Sequence, residues 1–364
     1  MAQKLRVGVI IGKFQPLLKG QVEHLFKPAI LNSDLVVVLL GSSGTARTCY
    51  NPFTNEDRIE MIKEAIADKS PIPFLYEPIR DFLYSETPVD WITQCQSKIK
   101  NAVDKYCDEV LKSKNQTIEV TLYGAENFEQ EKEYLGWYPN WKVSIAKINE
   151  VNQSQDILEA VWDGSPKLAS FGDLLVPSTY EYLIKIAERI WAKSIHPSED
   201  RFEKFRLEHL YLKDYKARTQ TGKYPTIFQT VDNVVYYKGY ILLVKRKSQP
   251  GAGTWALAGG FLNADESCRD GAVRELQEET GLKVKPEWFV SRETFDHPKR
   301  SLRGRTITNA FLWKIPDHRQ VPQITAGSDA AKAKWFPLAE VLENMPEQIF
   351  EDHLDVILTL IKRL

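Results

Sequence analysis

The sequence predicts an α/β domain with a parallel sheet, then a helical connector, then a second domain of α+β type. Residues 1–150 alternate apolar strand-like runs with amphipathic stretches, the pattern of a sheet covered on both faces. From Tyr224 onward two strand-like runs adjoin directly before a glycine-bracketed helix, which suits a mixed sheet. A length of 364 residues also exceeds one average domain. The expected boundaries are 1–176, 177–222 for the connector and 223–364.

The first strand is VGVII, Val7 to Ile11. It runs into the turn GKFQPLLKGQ, and Gln21 to Ala29 carries helical patterning. Strand, Gly/Pro turn and helix N-terminus make a cradle suited to phosphate. Gly12, Lys13, Phe14, Gln15, Pro16, Gly20 and Gln21 are its candidate nucleotide-binding residues. DLVVVLLG, EDRIEMIKEAI, PIPFLYEPI, the stretch WITQCQSKIKNAVDKY and IEVTLYG continue the alternation. In a parallel sheet the ligand site lies at the carboxyl ends of the strands, where GKFQP is expected. Between Pro177 and Ala217 two charged segments with helical periodicity form the connector. TIFQTVDNVVYYKGYILLVKRK then reads as paired strands turning at Lys238-Gly239.

GFLNADESCRDGAVRELQEETGL, Gly260 to Leu282, carries the chemistry. Glu275, Glu278 and Glu279 stand at i, i+3 and i+4 and share one helical face. Carboxylates crowded in this way repel unless cations neutralise them, and hard divalent ions, Mg²⁺ or Mn²⁺, suit such oxygen donors. Glu266 joins from the preceding loop, and Arg274 is placed to orient a carboxylate by a forked contact. Gly281 is placed to end the helix, and Gly259 and Gly260 let the entering backbone come close to a ligand. Arg246, Arg300, Arg303 and Arg305 offer guanidinium groups for phosphate, and Trp255 offers a face for a stacked base. The competing expectation is a solvated basic loop, with Trp255 in the core.

The stretch resembles the signature of Nudix hydrolases, filling all nine of its fixed positions: Gly260, Glu266, Arg274, Glu275, Leu276, Glu278, Glu279, Gly281 and Leu282. That resemblance implies a Nudix α/β/α sandwich and metal-dependent hydrolysis of a nucleoside diphosphate linked to another group. Glu275, Glu278 and Glu279 would be the metal ligands, with Glu266 in support. The general base stays open, with Asp329 and Glu351 as candidates. FDHPKRSLRGRTIT further resembles the Nudix half of fused enzymes that cleave ADP-ribose to AMP and ribose 5-phosphate. Ala258 stands where that family usually has proline.

Those fused enzymes carry an N-terminal nicotinamide mononucleotide adenylyltransferase domain, a Rossmann-like nucleotidyltransferase fold. GKFQP, NPFTNEDRIEMI, RDFLYS and YLGWYPNW resemble its segments. The family follows its turn with H-x-G-H, and here Leu18-Lys19-Gly20-Gln21 stands in that place. Leucine donates nothing, and glutamine donates only a neutral hydrogen bond. Leu158 occupies the position of a triphosphate-gripping arginine, and His24 lies one turn too far along to substitute. The resemblance therefore implies a Nudix hydrolase of ADP-ribose joined to an adenylyltransferase-like domain of weak or lost activity. Two alternatives stay open: an enzyme that also makes dinucleotide from ATP and nicotinamide mononucleotide, and an N-terminal nucleotide sensor or assembly module.

Bulk properties narrow the partners. Lys and Arg number 48 against 49 Asp and Glu, so no global basic field favours nucleic acid. No apolar run approaches a membrane span, and none at the N-terminus resembles a secretory signal. Cys49, Cys95, Cys107 and Cys268 show no zinc spacing, which fits a reduced cytoplasmic protein. ATP or a nicotinamide nucleotide is the expected ligand of the N-terminal domain, and homo-oligomerisation stays open.

Overall fold

The structure is a computed structural model that describes residues 4–84, 89–112, 117–125, 140–148, 153–164, 166–191, 200–317, 320–327 and 330–364. It divides into two compact units. Unit 1 holds residues up to Gly44, Cys49–Asp81 and Ser85–Arg206, and unit 2 holds Thr45–Thr48, Phe82–Tyr84 and Leu207–Leu364.

Unit 1 is built on β1 (Lys4–Gly12), β2 (Leu35–Leu40), β3 (Phe74–Pro78), β4 (Thr117–Ala125) and β5 (Lys142–Ala146). They form one sheet in the order β3-β2-β1-β4-β5, and every pair is parallel. All six residues of β2 are buried, as helices on both faces of a parallel sheet require. After β1 the chain enters α1 (Lys19–Gln21), which runs through a π-helical turn at Val22–Phe26 into α2 (Lys27–Asn32). The strand order reverses at β1, so the Gly12–Gln21 turn sits at the topological switch point.

Among the described residues, this unit also holds the helices α3 (Asn55–Ala65), α4 (Val89–Tyr106), α5 (Ser154–Asp163), α6 (Lys167–Ser170) and α7 (Pro177–Trp191). Thr54 starts α3 with a reciprocal cap, accepting from Asp57 N at 3.0 Å while Asp57 Oδ2 accepts from Thr54 N at 2.9 Å. The stretch read from sequence as a connector is shared out. Its first helix, α7, lies wholly in unit 1, and the second, α8 (Glu203–Thr219), begins in unit 1 and ends in unit 2.

Unit 2 contains β6 (Phe228–Tyr237), β7 (Tyr240–Arg246), β8 (Trp255–Ala256), β9 (Ala258–Phe261), α9 (Cys268–Thr280), β10 (Phe289–Phe295), β11 (Thr306–Lys314), β12 (Ala330–Pro337), α10 (Leu338–Glu343) and α11 (His353–Ile361). The main sheet runs β10-β11-β6-β7-β12, with β8 paired to β7 and β9 to β6. Only the β6–β11 pair is parallel among these contacts. Lys238 (φ 45°) and Gly239 (φ 84°) both adopt left-handed geometry in the two-residue turn that joins β6 to β7.

Alternation along β6 explains the layering. Val231, Val235 and Tyr237 join the core that contains Ala272 and Leu276 of α9, whereas Val234 joins the core of Ile357 and Leu360 from α11. This is the α/β/α sandwich expected for the second domain. Among the described residues, no helix is long and apolar enough to cross a membrane.

Candidate active site

The acidic helix is fixed at both ends. Ser267 caps α9 by accepting from Asp270 N at 3.2 Å, and Gly281 (φ 68°) closes it in the left-handed region. Glu266 precedes the cap, so its carboxylate comes from the loop and not from the helix. Its Oε1 accepts from Asn263 N at 2.8 Å.

Arg274 sits among three of the four carboxylates. Its Nε and Nη2 donate to Glu266 at 2.9 and 2.6 Å. Its Nη1 donates to Glu275 Oε1 at 2.8 Å and Glu278 Oε2 at 3.1 Å, and Nη2 reaches Phe261 O at 3.2 Å. Arg274 holds the Glu266 carboxyl down to about 2. Burial raises Glu275 against the opposing pull of Arg274.

Glu279 turns elsewhere. It accepts from Gly259 N at 3.0 Å, and burial, reinforced by Glu275 and Asp232, pushes its carboxyl up to about 8.

The two glycines of β9 are required by close approach to the protein itself. A Cβ on Gly259 would stand 2.1 Å from Val231 O of β6, and one on Gly260 would stand 2.6 Å from Glu275 Oε1. The sequence expectation had them admitting a ligand, whereas here they admit a neighbouring strand and a site carboxylate.

The donor set fits a hard divalent cation. It is made of carboxylate oxygens, and Glu279, whose ionised form is disfavoured by burial and by Glu275 and Asp232, is the carboxylate that a cation would relieve most. Among the described residues, no three His, Cys, Asp or Glu side chains are gathered closely enough to hold an ion together, because Arg274 lies between Glu266, Glu275 and Glu278.

Beside Glu279 opens a cavity of about 280 Å³. Arg246, Gly259, Gly260, Arg300, Arg303 and Glu351 are among its walls. Arg246 is steadied by donating to Pro250 O at 2.9 Å and lies 3.9 Å over the Phe350 ring. Arg303 lies 5.2 Å over Phe261 and 4.0 Å from Glu351.

The three arginines that the sequence groups in one turn part company. Arg300 is buried, Arg303 borders the cavity, and Arg305 turns to the backbone oxygen of Asp296, away from the cavity walls. Trp255 also lies outside those walls. It packs edge-on to Phe336 at 4.6 Å, the core placement that competed with base stacking. Of the candidate bases, Glu351 (φ 42°) accepts from Ser301 Oγ at 2.9 Å and Leu302 N at 3.0 Å, and Asp329 lies outside the described residues.

The floor of this cavity holds residues that sequence reasoning passed over. Asp232 Oδ2 accepts from Thr308 Oγ1 at 2.7 Å. His353 Nδ1 accepts from Leu257 N at 2.9 Å, which places the imidazole proton on Nε2, 3.7 Å from Asp232 Oδ1. Burial lowers the His353 pKa and keeps it neutral. Asp352, buried behind the cavity walls, receives Arg300 Nε at 2.8 Å and Nη2 at 3.0 Å. The available signal was polar residues interrupting apolar runs: Asp232-Asn233 within TVDNVV, and Glu351-Asp352-His353 within IFEDHLDVI.

In unit 1 the cradle residues engage one another. Leu18 is fully buried, and the buried Gln21 accepts from Leu18 N through Oε1 at 3.0 Å. Gln15 exchanges two hydrogen bonds with the Phe53 backbone, at 2.9 and 3.0 Å. Phe14 is buried at φ 50°, and its ring lies where a Cβ on Gly12 would go, 2.7 Å away. Pro16 and Gly20 are buried too, and Lys13 is exposed, 3.8 Å from Asp81.

Arg58 closes the cradle from behind. Its Nη1 donates to Lys13 O at 2.8 Å and Gly41 O at 2.6 Å. Leu158 is buried in α5 and His24 is exposed on the π-helical turn. YLGWYPNW lies outside the described residues except for its last two positions.

Comparison with known proteins decides the family. The NUDIX domain profile matches residues 228–359. The ADP-ribose pyrophosphatase of Methanocaldococcus jannaschii is 35% identical over 127 residues, covering 35% of this chain and 69% of that protein. The bifunctional NMN adenylyltransferase/ADP ribose pyrophosphatase of Francisella tularensis, solved with AMP and a Mn ion, covers 98% of this chain and 99% of its own, at 27% identity and a TM-score of 0.79. A second structure of that protein gives 26% identity and a TM-score of 0.80.

The chain belongs to the Nudix hydrolase family, in its form fused to an adenylyltransferase-like domain. It is thus an enzyme, with the Nudix fold in unit 2 and the nucleotidyltransferase-like parallel sheet in unit 1.

Proposed function

We propose that unit 2 hydrolyses ADP-ribose to AMP and ribose 5-phosphate, and that unit 1 transfers adenylyl groups weakly or not at all. One observation carries the first part: Glu279 of the Nudix helix borders the same cavity as Arg246, Arg300 and Arg303. Carboxylates for cations and guanidinium groups for phosphate oxygens meet at one place.

Glu275, Glu278 and Glu279, with Glu266 in support, would hold Mg²⁺ or Mn²⁺. Bound there, the ion would supply charge neutralisation and a more acidic water. The chain's own groups do the rest. Arg246 and Arg303 grip the diphosphate, and Arg274 holds Glu266, Glu275 and Glu278 in register. Water adds to one phosphorus, the bridging P–O bond breaks, and the departing phosphate takes a proton. The Mn ion and AMP of the Francisella relative, and the substrate named for the Methanocaldococcus relative, support this choice.

Two features of unit 1 argue against efficient transfer. Leu18 and Gln21 replace the expected histidines, and Gln21 uses its amide oxygen to cap Leu18. The test is a screen of ADP-ribose, NADH, dinucleoside polyphosphates and sugar nucleotides with Mg²⁺ or Mn²⁺. Preferential release of AMP from ADP-ribose supports the proposal, and indifference to that substrate refutes it.

A further inference from the structure

Unit 2 includes three residues from far upstream in the chain, Phe82–Tyr84. They lie outside the stretch that matches the NUDIX profile. The Tyr84 ring meets Phe295 edge-on at 4.9 Å and His297 at 6.1 Å. Its hydroxyl donates to Asp352 Oδ2, the oxygen that also accepts from Arg300 Nε, and Arg300 Nε lies 3.3 Å from the hydroxyl. A phenylalanine would make the same edge contacts. Among the described residues, the hydroxyl's hydrogen-bonding partners are Asp352 and Arg300.

Those two residues have much to gain from it. Asp352 is fully buried, so each lost donor leaves its charge less compensated. Arg300 stands between two carboxylates: Asp352 in a fork at 2.8 and 3.0 Å, and Asp232 with Oδ2 at 3.8 Å from Nη2. The fork uses Nε and Nη2, and Nη1 donates to no described residue. Arg300 nevertheless borders the cavity.

We propose that Tyr84 is a positioning residue of the hydrolase site, holding the Asp352–Arg300 pair so that Arg300 offers Nη1 to an anionic oxygen of a bound nucleoside diphosphate. Without the hydroxyl, Asp352 grips Arg300 less firmly and Asp232 competes for the guanidinium. This rests on reading the cavity as the diphosphate site.

The test is Tyr84→Phe in the full chain, alone and combined with Arg300→Lys. ADP-ribose affinity is read by calorimetry in EDTA, where nothing turns over, and KM and kcat are read with Mn²⁺. Tyr84→Phe should weaken binding and raise KM about three- to tenfold, the range of one lost hydrogen bond, with kcat changed less than about twofold. In the Arg300→Lys background it should change neither. Equal effects in both backgrounds would mark a merely structural role and overturn the proposal, as would unchanged affinity and KM in the single variant. If the wild type ignores ADP-ribose but cleaves another diphosphate, the choice of substrate fails. The same cycle read on that other compound then decides the role of Tyr84. If no diphosphate binds, both readings fall.

Discussion

Glu279 is the site carboxylate whose surroundings differ most from water, since burial, Glu275 and Asp232 outweigh one backbone N–H and the attraction of Arg246. Its pKa is raised to about 8 from an ordinary 4.5. The folded chain therefore holds this proton more tightly than the unfolded chain does. Its contribution to stability is complete below about 4.5 and is lost as pH rises through about 8. Melting in EDTA should show the midpoint falling between pH 5 and pH 9, and Glu279→Gln, which cannot ionise, should flatten that fall. Added Mn²⁺ should oppose it, most strongly at the alkaline end, because a cation favours the ionised form. A wild-type midpoint that rises across this range would contradict the assignment. Glu278 is the contrasting case, exposed and held by a single bond to Arg274. Glu278→Gln should leave the melting midpoint nearly unchanged and slow hydrolysis at least ~100-fold through impaired metal binding. Near-normal turnover with Mn²⁺ would remove it from the ligand set.

At the scale of elements, the site depends on how β6 ties its neighbours together. Asn233 is fully buried. It donates to Ala258 O of β9 at 3.0 Å and Ala272 O of α9 at 2.9 Å, and it accepts from Trp313 Nε1 of β11 at 2.8 Å. One side chain thus sets the distance between the glycine strand and the acidic helix. Asn233→Leu would leave two carbonyls and an indole N–H without this partner, so the expected loss is about 2–4 kcal/mol in urea unfolding. A loss under about 1 kcal/mol would show that the three elements hold their spacing by packing alone. The acidic helix itself was legible in the sequence, because its spacing, its cap region and Gly281 are all local. So were β1 to β4 of unit 1, carried by apolar runs that are unbroken in β2, whereas β5 (KVSIA), exposed at four of its five residues, gave no such signal. The cavity floor was not. Asp232, Arg300 and His353 come from a strand, a loop and a helix start, and only tertiary packing brings them together. The fate of Arg305 and Trp255 was hidden for a related reason: residue type fixes what a side chain can bind, whereas sheet register and loop course fix which way it faces.

For the molecule as a whole, each unit has a core of its own, with Val9, Val37 and Leu122 in the first and two separate clusters flanking β6 in the second. The family relationship spans nearly the whole chain, yet a shared fold does not secure a shared activity. In unit 1 the chain path of a nucleotide cradle persists at the switch point of the sheet, while its side chains are engaged internally. Leu18 is packed away, Gln21 caps Leu18, Gln15 pins Phe53, and Arg58 holds the carbonyls of Lys13 and Gly41. Removing one group that stabilises developing charge commonly slows an enzyme by about 10²–10³-fold, so the loss of two implies ~10⁴-fold or more. With ATP, nicotinamide mononucleotide and Mg²⁺, dinucleotide formation should stay near background while the same preparation hydrolyses ADP-ribose. Glu278→Gln should slow the hydrolysis at least ~100-fold and leave any nucleotide binding by unit 1 unchanged, since that residue lies in the other unit. Robust dinucleotide synthesis by the wild type would refute the argument from Leu18 and Gln21. It would point instead to Lys13, which stays exposed at the end of β1, as a group able to carry the charge of the transfer.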